Sequence, residues 1–168
     1  MRQHRIVLLP GDGIGPEITA VTKDLLKAVS QKHGFKLIFD EKPIGGSAVD
    51  LSGSPLPEET LTACKRSDAV LLSAIGSPKH DSLPREQRPE TGLLELRSGL
   101  KLFANIRPIK IWRSLIQSST LKEEVISNVD LIVVRELTGG IYFGKPKGRI
   151  EIDKGERGFN TMTYSTEE

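Results

Sequence analysis

The sequence predicts an α/β fold, a mostly parallel sheet flanked by helices. Three observations carry this. Short apolar runs alternate with helix-period segments over the first eighty residues. The first run, "RIVLL", breaks at "PGDGIG" and leads straight into a helical pattern, the strand–turn–helix order of a parallel unit. A length of 168 residues with 37% hydrophobic content is enough to bury a real core.

The elements follow in order. "RIVLL" is a buried strand ended by a glycine turn. "PEITAVTKDLLKAVSQKHG" is a helix. Pro16 suits a first turn, Glu17 suits the positive end, and Gly34 ends it. Ile18, Val21, Leu25, Leu26 and Val29 form one apolar stripe on it. "FKLIFD" is a second strand, and "LPEETLTACKRSD" a helix with Leu61 and Cys64 inward. "AVLLSAIG" is a third strand. "SPKHDSLPREQRPE" has no periodicity and leaves the C-terminal end of that strand, where open α/β sheets bind ligands. "TGLLELRSGLKLF" reads as a short helix and "ANIRPIKIW" as extended. "LKEEVISN" reads as a helix opened by a Thr120–Glu123 capping box, and "VDLIVVREL" as a buried strand. "RIEID", a "KGERG" turn and "FNTMTY" form a hairpin. Ser165 and Glu168 repeat the capping-box pattern at the end of the chain, as if a further helix opened there.

Bulk properties exclude several classes. The formal net charge of +2 argues against nucleic acid and membrane surfaces as partners. No apolar run approaches the ~18 residues of a membrane span. "MRQHRIVLLPGDG" reads as a first strand, neither signal nor transit peptide, so the cytoplasm is the expected compartment, with a plastid open for a plant source. The single Cys64 fits a reducing compartment and a buried structural thiol.

Two features bear on chemistry. "GDGIGPE" sits where a phosphate-cradling turn would, but the dinucleotide fingerprint requires glycine where Pro16 stands. This also weakens Asp40, at the end of the second strand, as a ribose ligand. The glycines are better read as letting the turn pass close to neighbouring loops. Second, Arg97, Arg107 and Arg135 occupy settings where a guanidinium needs an anionic partner or solvent. Together they suggest a site for a multiply charged acid, since guanidinium forks bind carboxylates in pairs.

"LLPGDGIGPEI", "RPETGLLELR", "LFANIRP" and "VVRELTGGIYFG" occur in that order from Arg5 onward, and the likeness continues to Glu168. In this the chain resembles the β-decarboxylating isocitrate and isopropylmalate dehydrogenase family, nearest to its isopropylmalate branch. The resemblance implies a fold distinct from the Rossmann dinucleotide fold. It divides the chain into residues 1–100 of a cofactor-side domain and residues 101–168, the start of a substrate and dimerisation domain. It implies NAD-dependent, Mg- or Mn-dependent oxidative decarboxylation of (2R,3S)-3-isopropylmalate in leucine biosynthesis, by a homodimer.

By the family's pattern, Arg97, Arg107 and Arg135 grip the malate carboxylates. Tyr142 is the general acid that protonates the enol left after carbon dioxide departs. The loop of Ser77, Pro78, Lys79, His80, Asp81, Ser82, Leu83, Pro84, Arg85, Glu86, Gln87, Arg88, Pro89 and Glu90 contacts NAD, with Glu90 near the nicotinamide. Glu90, Leu93 and Leu94 set substrate choice: two leucines suit an isopropyl group and would leave a third carboxylate unpaired. Ser77 and His80 depart from a glycine and an aromatic residue common in the family, and His80 reads as a solvated loop residue rather than a metal ligand.

The family's catalytic lysine and its metal-binding aspartates are expected downstream of Glu168, so the chain reads as the first part of a longer protein. Alone, it is expected to be inactive, to expose apolar edges and to aggregate. The alternatives are a short noncatalytic paralogue acting as a binding or regulatory subunit, and an isocitrate- or tartrate-type relative.

Overall fold

The computed structural model describes residues 2–166. The chain divides into two compact units, Met1–Leu100 and Lys101–Glu168.

The first unit is a three-layer α/β arrangement. Strands β1 (Gln3–Gly11), β2 (Lys36–Glu41) and β3 (Ala69–Ala74) form a parallel sheet in the order β2-β1-β3. The predicted strand–helix alternation is what the structure shows. Helix α1 (Gly15–His33) starts with Pro16 and Glu17 in its first turn and closes at Gly34. Helices α2 (Gly46–Ser52), α3 (Glu58–Lys65) and α4 (Pro89–Gly99) complete the unit; α2 has no counterpart in the sequence reading.

Central strand β1 is fully buried at Val7, Leu8 and Leu9. Side chains alternate along a strand. Val7 and Leu9 therefore share one face, where they pack with Ile44, Leu56, Cys64 of α3 and Leu96 of α4. Leu8 points to the opposite face. Cys64 is a buried thiol, as predicted, and its burial and then the Asp40 charge push its pKa up. On α1, Thr19 turns inward and its hydroxyl meets Ser73 of β3 at 2.6 Å. The predicted apolar stripe of α1 lies elsewhere: Ile18, Val21, Leu25 and Val29 are exposed, because Thr19 and Ser30 take the buried side. Hydrophobic periodicity located the stripe but not what covers it.

In the second unit, β4 (Ala104–Lys110) pairs antiparallel with β5 (Asp130–Glu136), and β6 (Gly148–Ile152) pairs with β7 (Gly155–Phe159). The parallel character of the fold thus belongs to the first unit. Strand β5 was expected to be buried. Instead Leu131, Ile132, Val133 and Val134 are exposed, since β5 has β4 as its one strand partner among the described residues. The hairpin is present but shifted. Asp153 and Lys154 make the turn, and Gly155–Phe159, most of it assigned to the turn from sequence, is the second strand. Between β4 and β5 lie a 3-10 segment, Arg113–Ser118, and the short helix α5 (Glu123–Ile126). Its N-cap is Lys122 with no side-chain cap, so the Thr120 capping box does not form. Thr120 sits too far ahead of the first helical turn to reach it. Helix α6 (Gly140–Phe143) follows β5. The second capping box, Ser165–Glu168, falls partly outside the described residues.

Among the described residues, no helix is long and apolar enough to cross a membrane.

Candidate active site

The predicted residues gather at two places, one in each unit. In the first, Glu90, Leu93, Leu94 and Arg97 all lie on α4. Their spacing of three and four residues puts them on one face of the helix. Pro89, Gly92 and Leu96 turn the other side into the core. The sequence therefore builds α4 with an anchored side and a side carrying a carboxylate, two leucines and a guanidinium. Both leucines are half-buried and Glu90 is exposed.

The loop leading to α4 is more ordered than its lack of periodicity suggested. It contains two single 3-10 turns, Pro78–His80 and Arg85–Gln87. Arg88 Nε donates to the Leu83 carbonyl at 2.9 Å, and the Thr91 hydroxyl donates to the Arg85 carbonyl. His80 was expected in solvent but is only 5% exposed. Its ring lies against Gly46, and Nε2 meets Asp50 Oδ1 at 3.2 Å. Lys79 Nζ donates to both oxygens of the same carboxylate, at 2.9 and 2.8 Å. Hydrogen bonds from Lys79 and then His80 hold Asp50 below its ordinary carboxylate value. The loop is thus tied down through α2.

The glycine turn carries a different lesson. The main-chain N–H groups that converge beside it are those of Gly46, Ser47 and Gly76, and all three donate to the Asp12 carboxylate. The chain's own carboxylate takes all three of these converging donors. Asp40 pairs with Lys42 at 3.6 Å instead of standing free for a ribose. A cleft of about 350 Å³ opens beside the turn, lined by Pro10, Gly11, Pro16, Glu41, Lys42, Pro43 and Ser47.

In the second unit, Arg107 and Arg135 come from neighbouring strands. Asn105 is opposite Arg135 and Arg107 is opposite Val133. Residues two apart on a strand share a face, so both arginines project from one face of the β4–β5 pair. Arg107 Nε donates to Asn105 Oδ1 at 2.7 Å, which orients its guanidinium along that face. The Arg135 guanidinium carbon stands 5.2 Å from the centre of the Tyr142 ring, a cation–π contact. Both arginines and the tyrosine therefore belong to one cationic surface.

Sequence reasoning missed Glu136. It follows Arg135, and its Oε1 accepts from the Thr138 N–H, the Thr138 hydroxyl at 2.8 Å and the Gly139 N–H at 2.9 Å. That organises the turn feeding α6 and Tyr142. The available signal was a carboxylate immediately before "LTGG", a stretch with free main-chain donors. Desolvation pushes the Glu136 pKa up, but the hydrogen bonds from Thr138 and Gly139 outweigh it, and the carboxyl titrates below its ordinary value. A depressed folded-state pKa gives stability that is present above the ordinary value and is lost as pH falls through the depressed one. The Thr138 and Gly139 amide NMR shifts should therefore titrate below the pH of a free glutamate. A midpoint at or above that value would contradict this account of the turn.

Among the described residues no group of three or more His, Cys, Asp or Glu side chains is placed to hold a metal ion. The acids of "EIDKGE" are spread over the exposed hairpin.

The family model "isocitrate/isopropylmalate dehydrogenase" matches residues 5–168. The chain belongs to the isocitrate/isopropylmalate dehydrogenase family. A relative from Synechococcus sp. strain CC9902, named 3-isopropylmalate dehydrogenase, is 72% identical over 168 residues, covering 100% of this chain and 47% of the relative. One of the same name from Prochlorococcus marinus strain MIT 9313 is 73% identical, with the same coverage. The chain thus spans about half the length of the curated relatives it matches. Among solved structures, a β-decarboxylating dehydrogenase from Thermococcus kodakarensis superposes with a TM-score of 0.62 at 30% identity, over 95% of this chain and 41% of that one. An isocitrate dehydrogenase from Methylococcus capsulatus gives 0.64 at 28% identity, over 95% and 43%. Membership of this dehydrogenase family agrees with the failed fingerprint at Pro16 and with the parallel sheet of the first unit.

Proposed function

We propose that this chain supplies the carboxylate-binding and proton-donating part of an NAD-dependent 3-isopropylmalate dehydrogenase. The single observation that carries the reading is the shared face of β4–β5, where Arg107 and Arg135 stand together and Arg135 packs over Tyr142. Two guanidinium groups fit the two carboxylates of a malate. Tyr142 then holds its hydroxyl proton beside the carbon that loses carbon dioxide and donates it to the resulting enol. On α4, Arg97 would donate further hydrogen bonds to a carboxylate, Leu93 and Leu94 would receive the isopropyl group, and Glu90 would serve the nicotinamide side of the site. The hydride of the hydroxyl-bearing carbon would pass to NAD, the chemistry that cofactor would supply when bound. Among the described residues no side-chain group fits a magnesium or manganese site, and no step here is routed through one. The exposed β6–β7 hairpin is the segment we assign to subunit pairing in a homodimer, and the cytoplasm is the compartment we assign.

The isopropylmalate assignment over isocitrate rests on the two leucines. Burying an unpaired carboxylate against them costs several kcal/mol. Leu93→Ala or Leu94→Ala, made in the protein expressed from its complete reading frame, should lower kcat/KM for isopropylmalate by about tenfold or more. Neither should admit isocitrate, since no cationic partner is added. An unchanged kcat/KM in both variants would remove the leucines from the pocket and the argument for isopropylmalate with them.

A further inference from the structure

We propose that Asp12 is the positioning residue for Glu90, acting through the main chain at the entrance to the cofactor loop; this rests on the functional reading above. Asp12 is only 6% exposed. Its Oδ1 accepts from the Ser47 N–H at 2.8 Å. Its Oδ2 accepts from the Gly46 N–H at 3.0 Å and the Gly76 N–H at 2.9 Å. Its own N–H donates to the Ala74 carbonyl at 2.8 Å, and its carbonyl accepts from Gly15. One side chain therefore joins the turn after β1, the start of α2 and the segment leaving β3.

The last link reaches Glu90. Gly76 has φ +112, in the region that favours glycine, and a Cβ there would lie 3.1 Å from Glu90 Oε1. The Glu90 carboxylate thus rests against the bare α-carbon of the residue Asp12 holds. An exposed glutamate on the first turn of a helix has many rotamers, and this seat restricts them. A buried carboxylate accepting three N–H groups is a rigid anchor, because moving any one segment strips it of a charge-assisted bond. The role is electrostatic and geometric: the Asp12 carboxylate is taken up by three main-chain N–H groups.

The test uses the protein expressed from its complete reading frame. Asp12→Ala removes both acceptor oxygens and all three hydrogen bonds, and Asp12→Asn keeps the volume while turning one donor against a donor. Gly76→Ala breaks the last link alone. KM for NAD should rise tenfold or more in Asp12→Ala and Gly76→Ala, and about threefold or more in Asp12→Asn, which guards against a misfolded alanine variant. KM for isopropylmalate should stay within twofold in all three. Equal changes in both KM values, or a KM for NAD within twofold of wild type, would overturn the proposal. A second readout is independent of catalysis. Amide hydrogen exchange at Ser47 and Gly76 should quicken at least tenfold in Asp12→Ala, or in Asp12→Asn should Ala not fold, while Leu8 in β1 keeps its protection. Unchanged exchange would refute the anchor. Should the wild type fail to reduce NAD with isopropylmalate, the functional reading falls, and the exchange result alone decides whether Asp12 holds the loop.

Discussion

Tyr142→Phe is expected to reduce kcat for isopropylmalate by about 10²–10⁴-fold, the usual worth of a positioned general acid. At about 1.4 kcal/mol per decade, that is about 3–5 kcal/mol of transition-state stabilisation. The substitution isolates the proton. Phenylalanine keeps the ring, so the Arg135 guanidinium retains its face at 5.2 Å, and α6 keeps its shape. KM for isopropylmalate should move little, because the arginines that bind its carboxylates are untouched. The check is steady-state kinetics beside a thermal melt. A kcat within threefold of wild type, with the fold intact, would take the proton from Tyr142.

Gly11→Ala should be the most damaging small substitution in the first unit. Gly11 ends β1 with φ +70, and a Cβ there would lie 1.9 Å from the Ala74 carbonyl oxygen. Gly11 and Ala74 are partners across the β1–β3 pair, so the obstacle is a backbone atom of the central sheet, with no side chain to swing aside. Overpacking costs about 1–3 kcal/mol and a left-handed alanine about 1–2, so about 2–5 kcal/mol of stability should be lost. That is a large part of the roughly 5–15 kcal/mol a domain possesses. The neighbouring bond from the Asp12 N–H to Ala74 would be strained by the same shift. A urea melt would show a lower midpoint at similar slope. A loss below about 1 kcal/mol would mean that the end of β3 yields more easily than its pairing implies.

How much of this was legible depended on whether the physics was local. The order of strands and helices in the first unit follows from periodicity and from glycine and proline at turns, so "RIVLLPGDGIGPE" declares β1 and α1 almost residue by residue. Burial was less legible. The α1 stripe and the β5 run are apolar by sequence yet exposed, because burial depends on which other element covers a face. Electrostatic anchoring was not legible at all. His80 pairs with Asp50 across thirty positions, and Asp12 reaches Gly76 across sixty-four. Both links exist only because β1 and β3 end, and α2 begins, at the same end of the sheet. The grouping of Glu90, Leu93, Leu94 and Arg97 follows from helix periodicity once α4 is recognised. The common face of Arg107 and Arg135 needed the β4–β5 register, which no pattern in either strand specifies.

The most direct measurement is NADH formation by the protein expressed from its complete reading frame, with NAD, Mg²⁺ and either (2R,3S)-3-isopropylmalate or isocitrate. The proposed role of Leu93 and Leu94 predicts turnover of isopropylmalate with kcat/KM at least about a hundredfold above isocitrate. Preferential turnover of isocitrate, or no NADH from either acid, would contradict it.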